Sequence, residues 1–162
     1  MKKGLEVRKG LEVRKMILTR EVVVTPHENE DIRKEFSRFV TVAREKNWKA
    51  LKVLFGFAWA SDVYEDDWVE EMLSPDELHA RVQSAEKREL GRISDDDLFV
   101  TVLATGIEYT FCHENDIHLK GDPGNHLMDS EVERYLKMGW RIHERSKGES
   151  RNGAGKSGLS DL

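Results

Sequence analysis

The chain has 162 residues, of which 38% are hydrophobic and 35% are charged, and its formal net charge is -5. This length suits one domain, and the apolar share is enough for one core. The single cysteine, Cys112, excludes an internal disulfide framework and a multi-cysteine zinc site, and no apolar run approaches the roughly 20 residues that cross a bilayer. We therefore expect a cytoplasmic globular protein with no membrane partner.

Charge is distributed unevenly along the chain. Residues 1–20 carry a net charge of +5 and residues 145–162 a net charge of +2, so the part between them is strongly acidic. An acidic body repels phosphate groups, whose neutralisation needs clustered Lys and Arg. The sequence therefore predicts no nucleic-acid partner, and the excess of acids suits either solubility alone or a basic partner.

The two ends of the chain differ in composition from its middle. Residues 3–14 are a tandem repeat of the hexamer KGLEVR, and two copies are too few for a solenoid. We expect residues 1–15 to be a basic leader, flexible or tag-like, and both Met1 and Met16 stay open as the start. Residues 145–162 are rich in Gly, Ser and Lys without an aromatic side chain, which is typical of disorder. Residues 16–144 then form a single domain.

The first half of this domain predicts a strand, a helix and a buried strand. Residues 17–24 are β-branched and are followed by Pro26, which favours a strand. Apolar residues from Ile32 to Ala43 recur with helical spacing over four to five turns. The apolar run 51–60 is too short to span a membrane and is predicted to be a buried strand, in which Gly56 marks a bulge or a close backbone approach.

The second half predicts three helices and four strands. A short amphipathic helix around residues 68–73 would bury Val69, Met72 and Leu73, and a second helix starts at a Ser74–Glu77 capping box and ends near Leu90. The remaining predicted elements are strands over 98–105, 107–113 and 117–120, a helix from a capping box at 130–133 to residue 139, and an edge strand over 140–144. This pattern predicts the α+β class, a mostly antiparallel sheet with two to four helices packed on one face.

A hairpin between the last two internal strands gathers residues that suit metal or nucleophilic chemistry, namely Cys112, His113, Asp116 and His118, with His126 following. A loop over 114–116 keeps Ile117 and Leu119 on the apolar face, and this register places Cys112 opposite His118. A thiol beside an imidazole is the minimum for an activated nucleophile, but no orienting group is evident. The spacing does not match a known zinc motif, so we predict a turn, no metal, no cofactor and no catalytic residue.

Residues 61–80 hold eight acids and no Lys or Arg. Like charges four residues apart destabilise a helix, so neutralising Asp67, Glu70 and Glu71 is expected to stabilise the chain slightly. Aromatic side chains flanked by carboxylates suit recognition of a basic protein. The predicted partner-binding residues are Asp62, Tyr64, Glu65, Asp66, Asp67, Trp68, Glu70 and Glu71.

The leading functional hypothesis is therefore a small protein-binding module, such as an inhibitor or immunity-type protein acting on a basic partner. One alternative is a hydrolase or metal-dependent enzyme built around the Cys112–His118 hairpin. Another is a homo-oligomeric protein of structural role, for example a homodimer.

Overall fold

Seven strands form one antiparallel sheet in the computed structural model, which describes residues 19–56, 59 and 69–145. The strands follow the order β3-β2-β4-β5-β6-β1-β7 across the sheet. Their bounds are β1 Arg20–Thr25, β2 Leu51–Phe55, β3 Glu71–Leu73, β4 Leu98–Val102, β5 Ile107–Phe111, β6 Ile117–Gly121 and β7 Arg141–Arg145. Helices α1 Glu30–Glu45, α2 Pro75–Lys87 and α3 His126–Lys137 pack against the sheet. The predicted α+β class is confirmed.

The core lies between the helices and one face of the sheet. Alternate strand residues such as Val22 and Val24 are fully buried, as the period of two requires when one face is covered. The ring of Phe39 on α1 lies 4.9 Å from that of Tyr109 and 5.9 Å from that of Phe111 on β5. Helix α1 thus occupies the span predicted from its apolar spacing. None of the helices in the described part of the chain is long and apolar enough to cross a membrane.

The two predicted capping boxes have different outcomes. At α2, the Ser74 hydroxyl accepts the backbone N–H of Glu77 at 3.2 Å, and the Glu77 carboxylate accepts that of Ser74 at 2.8 Å. The capping box predicted at 130–133 is wrong, because α3 begins earlier, at His126. There the side-chain oxygen of Asn125 accepts the backbone N–H groups of Leu127 and Met128, so Asn125 already caps the helix.

The helix predicted around residues 68–73 is also wrong over its described part. Glu71–Leu73 is instead the edge strand β3, paired with β2. Leu73 is buried as expected, but Val69 and Met72 are 46% and 53% exposed. Strand β3 pairs with this edge of β2 because the backbone N–H and C=O groups of the edge would otherwise lack partners in the sheet. The predicted leader and tail, 1–15 and 145–162, lie outside the described residues except for Arg145, which ends β7.

The candidate functional site lies at one end of the sheet, where β2 and β5 end and where β4 and β6 begin. We call it the hairpin end of the sheet and define it by residues 93–97 and 112–116. Here Gly56 follows β2, and its N–H donates to the main-chain oxygen of Asp97 at 2.7 Å. A Cβ atom at Gly56 would lie 2.6 Å from the Cβ of Asp97, so the predicted close backbone approach at this glycine is present.

Candidate functional site

The β5–β6 hairpin has a different register from the one predicted. Phe111 pairs with Ile117, and the N–H of Cys112 donates to the main-chain oxygen of Asp116 at 2.9 Å. The loop is therefore 113–115, and Asn115 adopts a left-handed conformation with φ 62°. His118 lies opposite Thr110, so the predicted Cys112–His118 cross-strand pair is wrong. A shift of two residues leaves every side chain on its own face, so the apolar pattern could not detect it.

Cys112 has a different imidazole as its neighbour, and a third group orients that imidazole. The Cys112 sulfur lies 3.9 Å from Nδ1 of His113, and the same nitrogen lies 2.8 Å from Oδ1 of Asp97. This carboxylate oxygen also accepts the backbone N–H of His113 at 2.8 Å. The N–H of Glu114 donates to the sulfur at 3.5 Å. One ligand atom from each of Asp97, Cys112 and His113 lies within 4.8 Å of the other two.

These three side chains, called here the Asp97–Cys112–His113 cluster, differ in exposure. Cys112 is buried, Asp97 is partly covered, and the side chain of His113 is 53% exposed. A cavity of about 270 Å³ borders the cluster on the face of the sheet opposite the core. Its other lining residues are Glu21, Phe99, Glu108, Thr110, His118, Lys120 and Arg145. The cluster is therefore accessible to an ion or a small molecule through His113 and this cavity.

Burial and the neighbouring charges set the protonation states of the thiol and the carboxylate in the cluster. Burial raises the pKa of the Cys112 thiol to about 11, and the carboxylates of Asp97 and Glu114 act in the same direction. Burial alone would raise the pKa of Asp97 as well, but the hydrogen bonds from His113 outweigh it and keep that pKa below its ordinary value. Without a bound cation, the cluster thus holds a carboxylate beside a protonated thiol.

This arrangement does not match a nucleophilic cysteine site. Such a site needs a thiol with a lowered pKa and a base that uses one ring nitrogen for the nucleophile and the other for the orienting carboxylate. Here the sulfur and the carboxylate both approach the same nitrogen, Nδ1 of His113.

The fold places the four predicted hairpin residues in different environments. Cys112 and His113 lie in the cluster, whereas Asp116 takes part in the hairpin through its main-chain oxygen. His118 lines the cavity, and its Nδ1 lies 3.8 Å from Oε1 of Glu21. Burial, and then the charge of Arg145, lowers the pKa of His118.

Asp97 was not among the candidate site residues predicted from the sequence. A signal for it was partly present, because an antiparallel turn between the predicted strands 98–105 and 107–113 brings the start of the first strand near the end of the second. In the structure Leu98 pairs with Phe111, one residue further into the sheet.

Only two of the predicted partner-binding residues lie in the described part of the chain, and both have cations beside them. Glu71 lies 3.0 Å from Arg81 of α2, and Glu70 lies 3.6 Å from Lys52 of β2. These cations come from elements outside the acidic segment, where sequence spacing could not reveal them. The residues Asp62, Tyr64, Glu65, Asp66, Asp67 and Trp68 lie outside the described residues.

No protein-family model, curated protein or solved structure matches this chain. Its function therefore has to be argued from the geometry and the chemistry of the cluster.

Proposed function

We propose that this protein binds one transition-metal ion, with zinc as the best-suited metal, through Asp97, Cys112 and His113. The observation that carries the proposal is the convergence of three different ligand atoms within 4.8 Å. The ligands come from the residue before β4 and from the two residues that follow β5, so folding brings them together. The ligand set therefore spans two chain segments, whereas the residues singled out from the sequence all lay in one hairpin.

The kinds of donor favour zinc over the hard cations. A thiolate and an imidazole suit zinc and other borderline or soft metals, whereas magnesium and calcium prefer oxygen ligands alone. The pKa of a thiol near 11 does not prevent binding, because a coordinating metal deprotonates the thiol outright. Zinc binding here is accordingly expected to release protons.

The distances are also close to those of a tetrahedral zinc site. Zinc bonds of about 2.3 Å to sulfur and about 2.0 Å to nitrogen or oxygen place ligand atoms about 3.3–3.6 Å apart. The Cys112 sulfur and Nδ1 of His113 are 3.9 Å apart, and this nitrogen and Oδ1 of Asp97 are 2.8 Å apart. The first pair must approach by a few tenths of an ångström and the second must separate by about 0.5 Å. A metal ion would replace the hydrogen bond between Asp97 and the imidazole ring.

Three protein ligands leave one position of a tetrahedral metal for water or a substrate. Structural zinc sites usually have four protein ligands, and catalytic zinc sites usually have three. Zinc with an open position polarises a bound carbonyl or lowers the pKa of a bound water. The neighbouring 270 Å³ cavity provides space for such a molecule. The proposal therefore retains the metal-dependent alternative predicted from the sequence. In it Cys112 acts as a metal ligand and not as a nucleophile.

The direct test is calorimetric titration of the tag-free protein with zinc. We expect one equivalent to bind with submicromolar affinity, and Cys112→Ser and His113→Ala each to weaken binding at least tenfold. His126→Ala is the matched control, because this exposed histidine begins α3 and lies outside the cluster. Melting curves of every variant verify folding. Absence of binding, or equal loss in the His126→Ala control, would contradict the proposal.

A second candidate function is binding of a basic protein, and one observation favours it. Acids from two chain segments lie at the hairpin end, Asp95 before β4 and Glu114 and Asp116 between β5 and β6. Most of the predicted partner-binding residues belong to the segment 57–68. The described residues on either side of this segment, Gly56 and the start of β3, lie at this same end of the sheet. An excess of carboxylates on a surface attracts the cations of a partner, which speeds association.

This second candidate is tested by capture of a partner at low and high salt. The expected result is a partner that is lost at high salt and is also lost from a variant carrying Asp95→Asn, Glu114→Gln and Asp116→Asn. Retention of that partner by the folded triple variant would refute the role of these acids.

A further inference from the structure

We infer that Trp59 is a positioning residue of the proposed metal site, acting through the main chain of Asp97. The inference rests on the proposed function, since it concerns how one of the three ligands is held. Trp59 does not belong to the Asp97–Cys112–His113 cluster. Its part is to fix the carbonyl group of a residue whose carboxylate is a ligand.

Asp97 is held from two sides. Its main-chain oxygen accepts the indole N–H of Trp59 at 2.9 Å and the backbone N–H of Gly56 at 2.7 Å. Its carboxylate oxygen accepts the backbone N–H of His113 at 2.8 Å. The first two bonds attach Asp97 to the end of β2, and the third attaches it to the β5–β6 loop. Together they set where the carboxylate lies relative to the thiol.

The indole is itself fixed in place. Trp59 is fully buried, and its ring lies edge-on to that of Phe55 with 4.7 Å between the ring centroids. On another side the ring contacts Gly91 so closely that a Cβ there would lie 2.0 Å from it. An indole N–H buried in this way needs an acceptor, because an unpaired buried donor loses its hydrogen bond to water without replacement. The carbonyl of Asp97 is that acceptor.

The effect of a positioning residue on metal affinity has a typical magnitude. Groups that orient a ligand typically change metal affinity by about 10–100-fold when they are removed. Trp59→Phe keeps an aromatic ring in the core and removes the N–H donor. Gly56→Ala perturbs the same carbonyl differently, because its Cβ would lie 2.7 Å from the Asp97 oxygen.

The experiment measures zinc affinity of the full chain and its variants by competition with a chelator, well below each melting temperature. Trp59→Phe and Gly56→Ala are each expected to weaken zinc binding about 10–100-fold. Trp140→Phe is the matched control, since Trp140 is 6% exposed and stacks on Tyr135 instead of contacting Asp97. It should change zinc affinity less than threefold.

A second readout separates positioning from general loosening of the core. In an Asp97→Ala background the residual zinc affinity should no longer respond to Trp59→Phe, because the carboxylate that Trp59 positions is gone. With cobalt in place of zinc, Trp59→Phe should keep the thiolate absorption band and change the bands that report metal geometry.

The outcomes distinguish this inference from the proposed function. If the unmodified chain binds no zinc, both are wrong. If it binds zinc and Trp59→Phe binds equally well, only the positioning role is wrong. If Trp59→Phe weakens binding by the same factor with and without Asp97, the effect does not pass through Asp97 and the inference is refuted.

Discussion

A methyl group added at Gly91 tests how tightly Trp59 is held. The Cβ of Gly91→Ala would lie 2.0 Å from Cε3, 2.4 Å from Cδ2 and 2.6 Å from Cβ of Trp59. Carbon atoms in contact normally lie about 3.5–4.0 Å apart. The overlap therefore exceeds 1 Å with the ring of a fully buried side chain. Trp59 cannot retreat without losing its packing on Phe55 or its hydrogen bond to Asp97.

The expected cost follows from overpacking in other cores. Inserting methylene groups into a well-packed core typically costs 1–3 kcal/mol, and the size of this overlap predicts about 3 kcal/mol. For a chain of this length that corresponds to a fall in melting temperature of about 6–12 °C. Thermal unfolding followed by circular dichroism, supported by urea titration, measures the change.

Gly124→Ala provides the matched control. A Cβ at Gly124 would meet nothing within 4 Å, so its free energy of unfolding should change by no more than about 0.5 kcal/mol. Equal melting temperatures for Gly91→Ala and Gly124→Ala would refute the account of Trp59 as a clamped side chain, and with it the basis for the positioning role.

Two further predictions concern ion pairs. Glu71→Gln should lower the free energy of unfolding by about 0.2–1 kcal/mol, because Glu71 pairs with the partly exposed Arg81. A urea titration measures this change. Stabilisation by Glu71→Gln, which the acidic segment alone would predict, would contradict the ion pair. Burial would raise the pKa of Glu86, but hydrogen bonds from Arg33 and from the backbone of Ile93 outweigh it and lower this pKa. Glu86 therefore stabilises the fold above its unfolded pKa of about 4.3, and this contribution is lost as the pH falls through the lower folded value. The stability difference between the unmodified chain and Glu86→Gln should shrink on acidification from pH 7 to pH 3, and a difference independent of pH would contradict the assignment.

Local signals predicted the elements whose structure is set locally. The spacing of Ile32, Phe36 and Phe39 predicted α1, and the Ser74 capping box predicted the start of α2. These features need only the period of an element or a hydrogen bond within one turn.

The candidate site depends on pairing between distant parts of the chain, and there the sequence was insufficient. The position of Asp97 follows from the register of β4 against β5, which the strand pattern constrains only in steps of two residues. The edge strand β3 was mistaken for a helix because three residues are too few to show a period. The cations beside Glu70 and Glu71 lie on other elements and become neighbours only in the fold.

The most direct test of the metal site is the absorption spectrum of the tag-free protein during titration with cobalt. Cobalt replaces zinc in tetrahedral sites, and a bond to the Cys112 sulfur would add a thiolate-to-metal charge-transfer band. We predict that this band rises linearly to one equivalent, disappears when zinc is added, and is absent from Cys112→Ser. A cobalt spectrum that stays that of the free ion, or a band that survives in Cys112→Ser, would contradict metal binding by the Asp97–Cys112–His113 cluster.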